Sequence, residues 1–547
     1  MFLILISSVI LIPALAGWGT ALNLLMKSPF CGFYGKAVYG IMGISLLWTI
    51  LAFFIPLNAH VEIPTIITGL LFFLKNRAYK NLLSTASDQY ILIFGGLSVI
   101  LFSGSFYPFI LDHFGYYVPT IKWLTEFGIV KGIANLDLTL GQMSVWHIFQ
   151  AGFSNISDPF LRINSILLII YALYIIENKS CIQLCFIPVL LLFSQSPSPD
   201  LPVILFSLLI LQEILTGNRL AAQLFAFSVF VFAIKPTMIW LPAVSFFYSF
   251  QNSKPTIKSL LPGFLILILF FIKNIWTFGY PIFPIAVGDL AVNWKPNTEI
   301  LNISSQFAIR KTYDMQYSYQ EISNFSPADY IKNWLFLDGI KSVINISLII
   351  SLVIFIVFSI IKKNRMINLI CLSIVIKSIL VISFSAQYRF FIDVFFVIFF
   401  ILFKDFIAEK MAVTVFSVLS IIVVVLLTVP AVLQNYLPSF RMGSFMGPIE
   451  KEQIYRPSHY ADQEYNAYKI GNLSFYVSKK YPYNFDTKLP AISESYIFDD
   501  IKAGIFPQMA DKKNMRKGFV WKTLNSKEKA EARKVIRSIE NSYHEKP

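Results

Sequence analysis

Charge is what this sequence has little of. Only 14% of its 547 residues are Asp, Glu, Lys or Arg, where a soluble domain carries about 25%. Disordered chains are polar and charged, so disorder is excluded. A cytosolic enzyme is excluded from the opposite side. Hydrophobic residues make up 56% of the chain and Phe alone occurs 53 times, too much apolar surface for one core, since cores stop growing beyond roughly 250–300 residues. Cysteine is scarce too. Cys31, Cys181, Cys185 and Cys371 lie in or beside apolar segments, which leaves no external disulfide framework. There are five histidines, no Cys/His metal spacing, no P-loop, no G-x-G-x-x-G and no H-E-x-x-H. The missing nucleotide motif argues against an ATP-driven pump.

What is present is a series of apolar runs. They lie at 2–26, 38–57, 62–74, 90–110, 163–176, 181–195, 201–216, 221–234, 237–250, 259–275, 343–361, 367–385, 390–403 and 411–434. This predicts an all-α polytopic membrane protein of about 14 transmembrane helices (12–14). Several middle runs have only about 14 residues, or about 21 Å at 1.5 Å per residue, against about 30 Å of hydrocarbon. Such helices either sit in a thinned bilayer or line a cavity. Residues 1–434 form the bundle, with long external loops at 111–162 and 276–342. Residues 435–547 turn polar and predict a small C-terminal extracytoplasmic α+β domain, ending in a charged helix from Ser526 to Ser542, with Ser526 as its cap.

The charge surplus fits this register. The 45 basic and 31 acidic residues leave +14, and one alternating set of loops holds Lys27, Lys36, Lys75, Arg77, Lys80, Lys179, Arg219, Lys254, Lys258, Lys362, Lys363, Arg365, Lys404 and Lys410. These loops are expected on the cytoplasmic side, so nucleic acid is not needed to explain the charge. No cleavable signal pattern precedes the first run. Both termini are then expected outside, in a bacterial inner membrane. The register depends on 221–250 being two helices. Pro236, in Lys235-Pro236-Thr237, supports the break.

The polar residues that stand out lie on the predicted external side. Asp112-His113 opens the first long loop, where a carboxylate beside a histidine suits a general base or, through its oxygens, a divalent cation such as Mg or Mn. The plain alternative is an Asp that starts the next helix or caps a turn. Residues 118–130 read as a helix lying in the membrane interface, with Pro119 at its start, Gly128 at its stop, and Tyr117, Ile121, Leu124 and Trp123 toward lipid; a packed strut is the other reading. Asp200 sits in Ser196-Pro197-Ser198-Pro199-Asp200-Leu201-Pro202, a candidate second carboxylate or an ordinary turn residue. Lys235, Lys273, Lys295 and Arg389 are cations suited to a phosphate. Arg389 has a local alternative in Asp393, one turn on, and Lys235 and Lys273 can snorkel. His147 reads as a packing residue. The 276–342 loop, opening Phe278-Gly279-Tyr280-Pro281-Ile282-Phe283-Pro284, suits a cover at headgroup level or a folded connector.

Several of these motifs resemble a family of uncharacterised bacterial multipass membrane proteins. They are Asp112-His113 to Tyr117, Thr120 to Leu124, Gly132 to Leu136, Gly141-Gln142, Trp146 to Gln150, Ser196 to Asp200, Lys273-Asn274, Gly279 to Pro284, Trp294, Tyr388-Arg389-Phe390, Leu489-Pro490 and Lys517-Gly518-Phe519. More distantly the layout is similar to the GT-C class of membrane glycosyltransferases. That class places a catalytic carboxylate and interfacial helices in its first large external loop, adds a C-terminal external domain, and takes sugars from polyprenyl-linked donors. The resemblance implies Asp112 as catalytic carboxylate, with Asp200 a second one and His113 beside it. Here the loop follows the fourth predicted helix, whereas in GT-C enzymes it usually follows the first. The resulting expectation is transfer of a sugar from a polyprenyl-linked donor to a glycan, lipid or protein acceptor. The alternatives are a polymerase or ligase of lipid-linked glycans, a transporter or flippase for them, or a non-catalytic scaffold.

Overall fold

A computed structural model describes residues 1–78, 90–253, 255–429, 431, 449–460, 464–479 and 481–543. The predicted loop cations Lys80 and Lys254, and the end of the last apolar run at 430 and 432–434, lie outside the described residues.

All fourteen apolar runs overlap helical structure. Among the described residues six helices are long and apolar enough to cross a membrane: Phe2–Leu25, Gly32–Ala52, Ile257–Phe278, Ile340–Lys362, Arg365–Phe384 and Glu409–Thr428. The shorter ones occupy the middle of the bundle. Ile163–Glu177, Asp200–Leu215 and Ala221–Ile234 bury nearly every residue, so protein rather than lipid surrounds them. Segment 181–193 is broken into 3-10 and single α turns around Pro188. The 221–250 run is a hairpin, with Ala221–Ile234 and Trp240–Ser253 separated by a 3-10 turn at Pro236–Met238.

The first three helices pack by backbone approach. A Cβ on Gly17 would overlap the carbonyl oxygen of Gly69, and one on Gly40 that of Leu15, which is the use of small residues between apolar helices where no hydrophobic drive separates protein from lipid.

Alternate loops segregate to opposite ends. At one end the Glu177 carboxylate accepts from the amides of Phe33 (2.7 Å) and Tyr34 (3.1 Å), satisfying free donors at the start of Gly32–Ala52. Asn218 Nδ2 donates to Pro29 O at 2.8 Å there. At the other end Glu62 accepts from the amides of Asn155, Ile156 and Ser157. Leu57 N donates to Leu124 O (2.9 Å), and the N-terminal amine to Gln453 O (2.6 Å). Lys27, Lys36, Lys179 and Arg219 therefore share the first end, while both long loops and the C-terminal region share the second.

The C-terminal region holds two antiparallel hairpins, Tyr465–Ile470 with Leu473–Ser478 and Ile505–Met509 with Phe519–Thr523, and two helices, Glu494–Lys502 and Ser526–Tyr543. The final helix is capped by Asn525 rather than Ser526. Asn525 Oδ1 accepts from Glu528 N, and Glu528 returns a carboxylate oxygen to Asn525 N, a reciprocal capping box. This region docks on the long loops: Phe519 N donates to Lys131 O (3.0 Å), Phe485 N to Phe114 O (3.1 Å) and Trp521 Nε1 to Lys295 O (2.9 Å).

That docking corrects the interfacial helix. Val118–Glu126 is a helix, but Tyr117, Ile121, Trp123 and Leu124 are buried under protein, with Trp123 edge-on to Phe519 at 5.8 Å. An apolar stripe needs an apolar neighbour, and here the helix Val145–Phe153 and, at Trp123, Phe519 of the C-terminal region supply it. Residues 276–342 contain three helices, Thr298–Thr312, Tyr319–Ser323 and Pro327–Leu335.

Candidate functional site at the loop-bearing end of the bundle

Asp112 directly precedes a five-residue π-helical turn, His113–Tyr117, that runs into Val118–Glu126. π-turns are rare and often mark functional positions. The Asp112 carboxylate forms an ion pair with the Arg389 guanidinium. Arg389 stands in the first turn of Tyr388–Phe403 and also reaches Tyr116 Oη at 3.4 Å. Its Nε–H is buried and has no hydrogen-bond partner among the described residues. The pair remains reachable from solvent, with side chains 22% and 28% exposed.

Behind it lies a more buried pair. Lys235 precedes Pro236, which forces an extended backbone on it (φ −146°, ψ 112°). Its ammonium pairs with Asp200 and donates to the carbonyl oxygen of Arg389 at 2.8 Å. Asp200 is the first residue of Asp200–Leu215, where the helix dipole favours an anion. It also accepts from Ser198 Oγ at 3.1 Å. Both side chains are 8% exposed. Arg389 is thus the hub: its guanidinium holds Asp112 and its carbonyl holds Lys235. The Lys311 ammonium, at the end of Thr298–Thr312, lies close enough to feel the charges of Asp112 and Arg389.

The other candidates make their polar contacts elsewhere. Lys273 is buried and donates to Gln142 O (2.7 Å) and Met143 O (3.0 Å), so it holds a loop turn. Lys295 pairs with Asp289 at 2.5 Å in an exposed stretch of 276–342. His113 is buried with Nδ1 2.9 Å from Ser196 Oγ, tying the π-turn to the turn that carries Asp200. Burial lowers its pKa well below the usual imidazole value, so it is neutral and offers a phosphate no charge. His147 is likewise buried, 4.7 Å from the ring of Tyr117, with its pKa pushed down to about 3 by burial.

Arg389 does not take Asp393. That carboxylate pairs with Lys377 of Arg365–Phe384, 2.5 Å from Oδ2 and buried on both sides. Lys377 was missed from the sequence, although a lone Lys in the middle of an apolar run is itself a signal. Among the described residues no three His, Cys, Asp or Glu side chains group as metal ligands. Asp112 and Asp200 each face a cation, so this donor set does not fit a Mg or Mn site.

No curated protein and no solved structure matches the chain. A family model described as Domain of unknown function (DUF8201) matches residues 1–396. The match contains Asp112, Asp200, Lys235, Lys377, Arg389 and Asp393 and stops short of the C-terminal region. It covers well over half of the sequence, and the chain belongs to the DUF8201 family.

Proposed function

We propose that this protein is a GT-C-like glycosyltransferase of a bacterial inner membrane, with about fourteen spans and both termini outside. It takes a sugar from a polyprenyl phosphate or pyrophosphate and gives it to a glycan, lipid or protein acceptor in cell-surface polysaccharide assembly. The observation that carries this reading is the partly exposed Asp112–Arg389 pair, backed through the Arg389 carbonyl by buried Lys235–Asp200. With Lys311 the cluster holds three cations and two carboxylates, a surplus suited to a phosphate.

In this reading the donor's phosphate takes over Arg389, using the unpartnered Nε–H and the forked geometry of guanidinium. Asp112 is thereby released beside the anomeric carbon. The acceptor hydroxyl loses its proton to Asp112 as its oxygen bonds to that carbon. The bond from carbon to phosphate oxygen breaks, and its electron pair leaves with the phosphate, stabilised by Arg389 and Lys311. Lys235 and Asp200 are positioning residues that fix the Arg389 backbone.

A second reading is a transporter or flippase for lipid-linked glycans, favoured by the Lys377–Asp393 pair buried inside apolar helices. Replacing Asp112 by Asn in the producing cell separates them. In the transferase reading, transfer is lost with protein level unchanged and the lipid-linked donor accumulates on the outer leaflet; loss of a flippase instead leaves the lipid-linked glycan on the inner leaflet. Full glycan production by the variant contradicts the role of Asp112.

A further inference from the structure

A cavity of about 370 Å³ lies on the side of the 113–126 segment turned away from the ion pairs. His113, Phe114, Val118, Ile121 and Lys122 line it, whereas Asp112 and Tyr116 meet Arg389. The C-terminal region closes it with His459, Phe485 and Asp486. A second, apolar groove of about 290 Å³ runs between the first turns of Phe2–Leu25 and Ala59–Lys75, lined by Ile6, Ile10, Ile63, Ile66 and Ile67. Pro159 lines both. Ile6, Ile63 and Ile67 are exposed on apolar helices, so the groove opens where the hydrocarbon of a membrane would lie.

The charges of the cavity balance. Lys122 is paired with Asp486 at 3.0 Å. Arg162 is spent on the carbonyls of Gly104, Phe106, Phe160 and Ser458. The Glu126 side chain is exposed and has no hydrogen-bond partner among the described residues. Two cations face two carboxylates, and burial keeps His113 and His459 toward the neutral form. The ion-pair cluster across the helix has a surplus cation, and this cavity has none. Its lining therefore offers a pyrophosphate no surplus cation. What fits here is a head group without net charge, rich in hydrogen-bonding groups, beside the aromatic wall of Phe114 and Phe485, stacked at 4.5 Å.

We infer that cavity and groove together bind one membrane lipid, its chain in the groove and its net-neutral polar head in the cavity, as a site separate from the ion-pair cluster. The inference does not rest on the transferase reading.

The test uses the full chain in nanodiscs holding equal amounts of phosphatidylethanolamine, phosphatidylglycerol and a monoglycosyl diacylglycerol, with retained lipid counted by native mass spectrometry. One of the two net-neutral lipids is retained at least tenfold over phosphatidylglycerol; which one it is tells a zwitterionic head from a sugar head. Ile66→Trp, which fills the groove, removes the retained lipid. Glu126→Lys, at an exposed position, reverses the preference toward phosphatidylglycerol. Asp112→Asn keeps the bound lipid. Equal retention of phosphatidylglycerol, indifference to both Ile66→Trp and Glu126→Lys, or loss of lipid in Asp112→Asn overturns the proposal.

Discussion

The ammonium of Lys235 donates to the backbone carbonyl of Arg389 at 2.8 Å while pairing with Asp200. One lysine therefore joins a helix break, a helix start and the first turn of a third helix. Desolvated pairs of this kind are costly to break from one side, because the remaining charge has no partner. Lys235→Met and Asp200→Asn should each lower stability by about 3–5 kcal/mol. The Lys235→Met/Asp200→Leu double variant should recover much of that loss. Thermal unfolding in detergent of the four proteins measures the coupling.

Asp112→Asn should behave differently. Its pair with Arg389 is partly open to water, and such pairs contribute about 1 kcal/mol or less. The variant should melt close to the parent yet lose transfer by 10²-fold or more, the scale of a general base. Arg389→Lys should also lose activity, since an ammonium cannot replace a forked contact.

Lys377 and Asp393 give a control. Their pair is buried among apolar helices, and among the described residues their side chains bond each other rather than Asp112 or the Arg389 guanidinium. Lys377→Met should destabilise by about 3–5 kcal/mol, and Lys377→Met/Asp393→Leu should restore stability with kcat retained. Activity lost in the restored double variant, as measured by initial rates, would instead favour the transporter reading.

The junction with the C-terminal region should be pH-dependent. Asp137 is buried between Thr139 and Asn484, whose Nδ2 lies 3.1 Å from its carboxylate. Burial, opposed by hydrogen bonds from Thr139, pushes its pKa up to about 6, above the ordinary value near 3.9. The fold then binds a proton that the unfolded chain releases. The contribution is fully present below about pH 4 and is lost as pH rises through about 6. The loss is on the order of 3 kcal/mol, at 1.36 kcal/mol per pH unit. Asp137→Asn should flatten unfolding midpoints between pH 4 and 7; an unchanged profile contradicts the assignment.

Some of this architecture is legible in the chain because it is local. Pro236 marks a hairpin, and runs of apolar residues mark helices regardless of partners. Asp112, Asp200, Lys235 and Arg389 stand out because each interrupts or borders an apolar run. Other features depend on partners that local pattern does not carry. Asp393 lies one turn from Arg389, yet its partner Lys377 comes from the neighbouring helix. Ile121 and Leu124 form an apolar stripe, but periodicity does not distinguish lipid from the protein that buries them. Lys273 looks like a phosphate ligand at a helix end, and two loop carbonyls absorb it. Short helices such as Ala221–Ile234 are short because protein surrounds them, which is a property of the assembled bundle.

The most direct measurement follows a labelled sugar on a polyprenyl phosphate donor in liposomes containing the full chain or its Asp112→Asn variant, with acceptor glycan outside. The account predicts that the parent moves label to the acceptor and leaves free polyprenyl phosphate, while the variant does neither at equal protein content. Label that crosses the bilayer still joined to its lipid, or a variant that transfers at the parent rate, contradicts it.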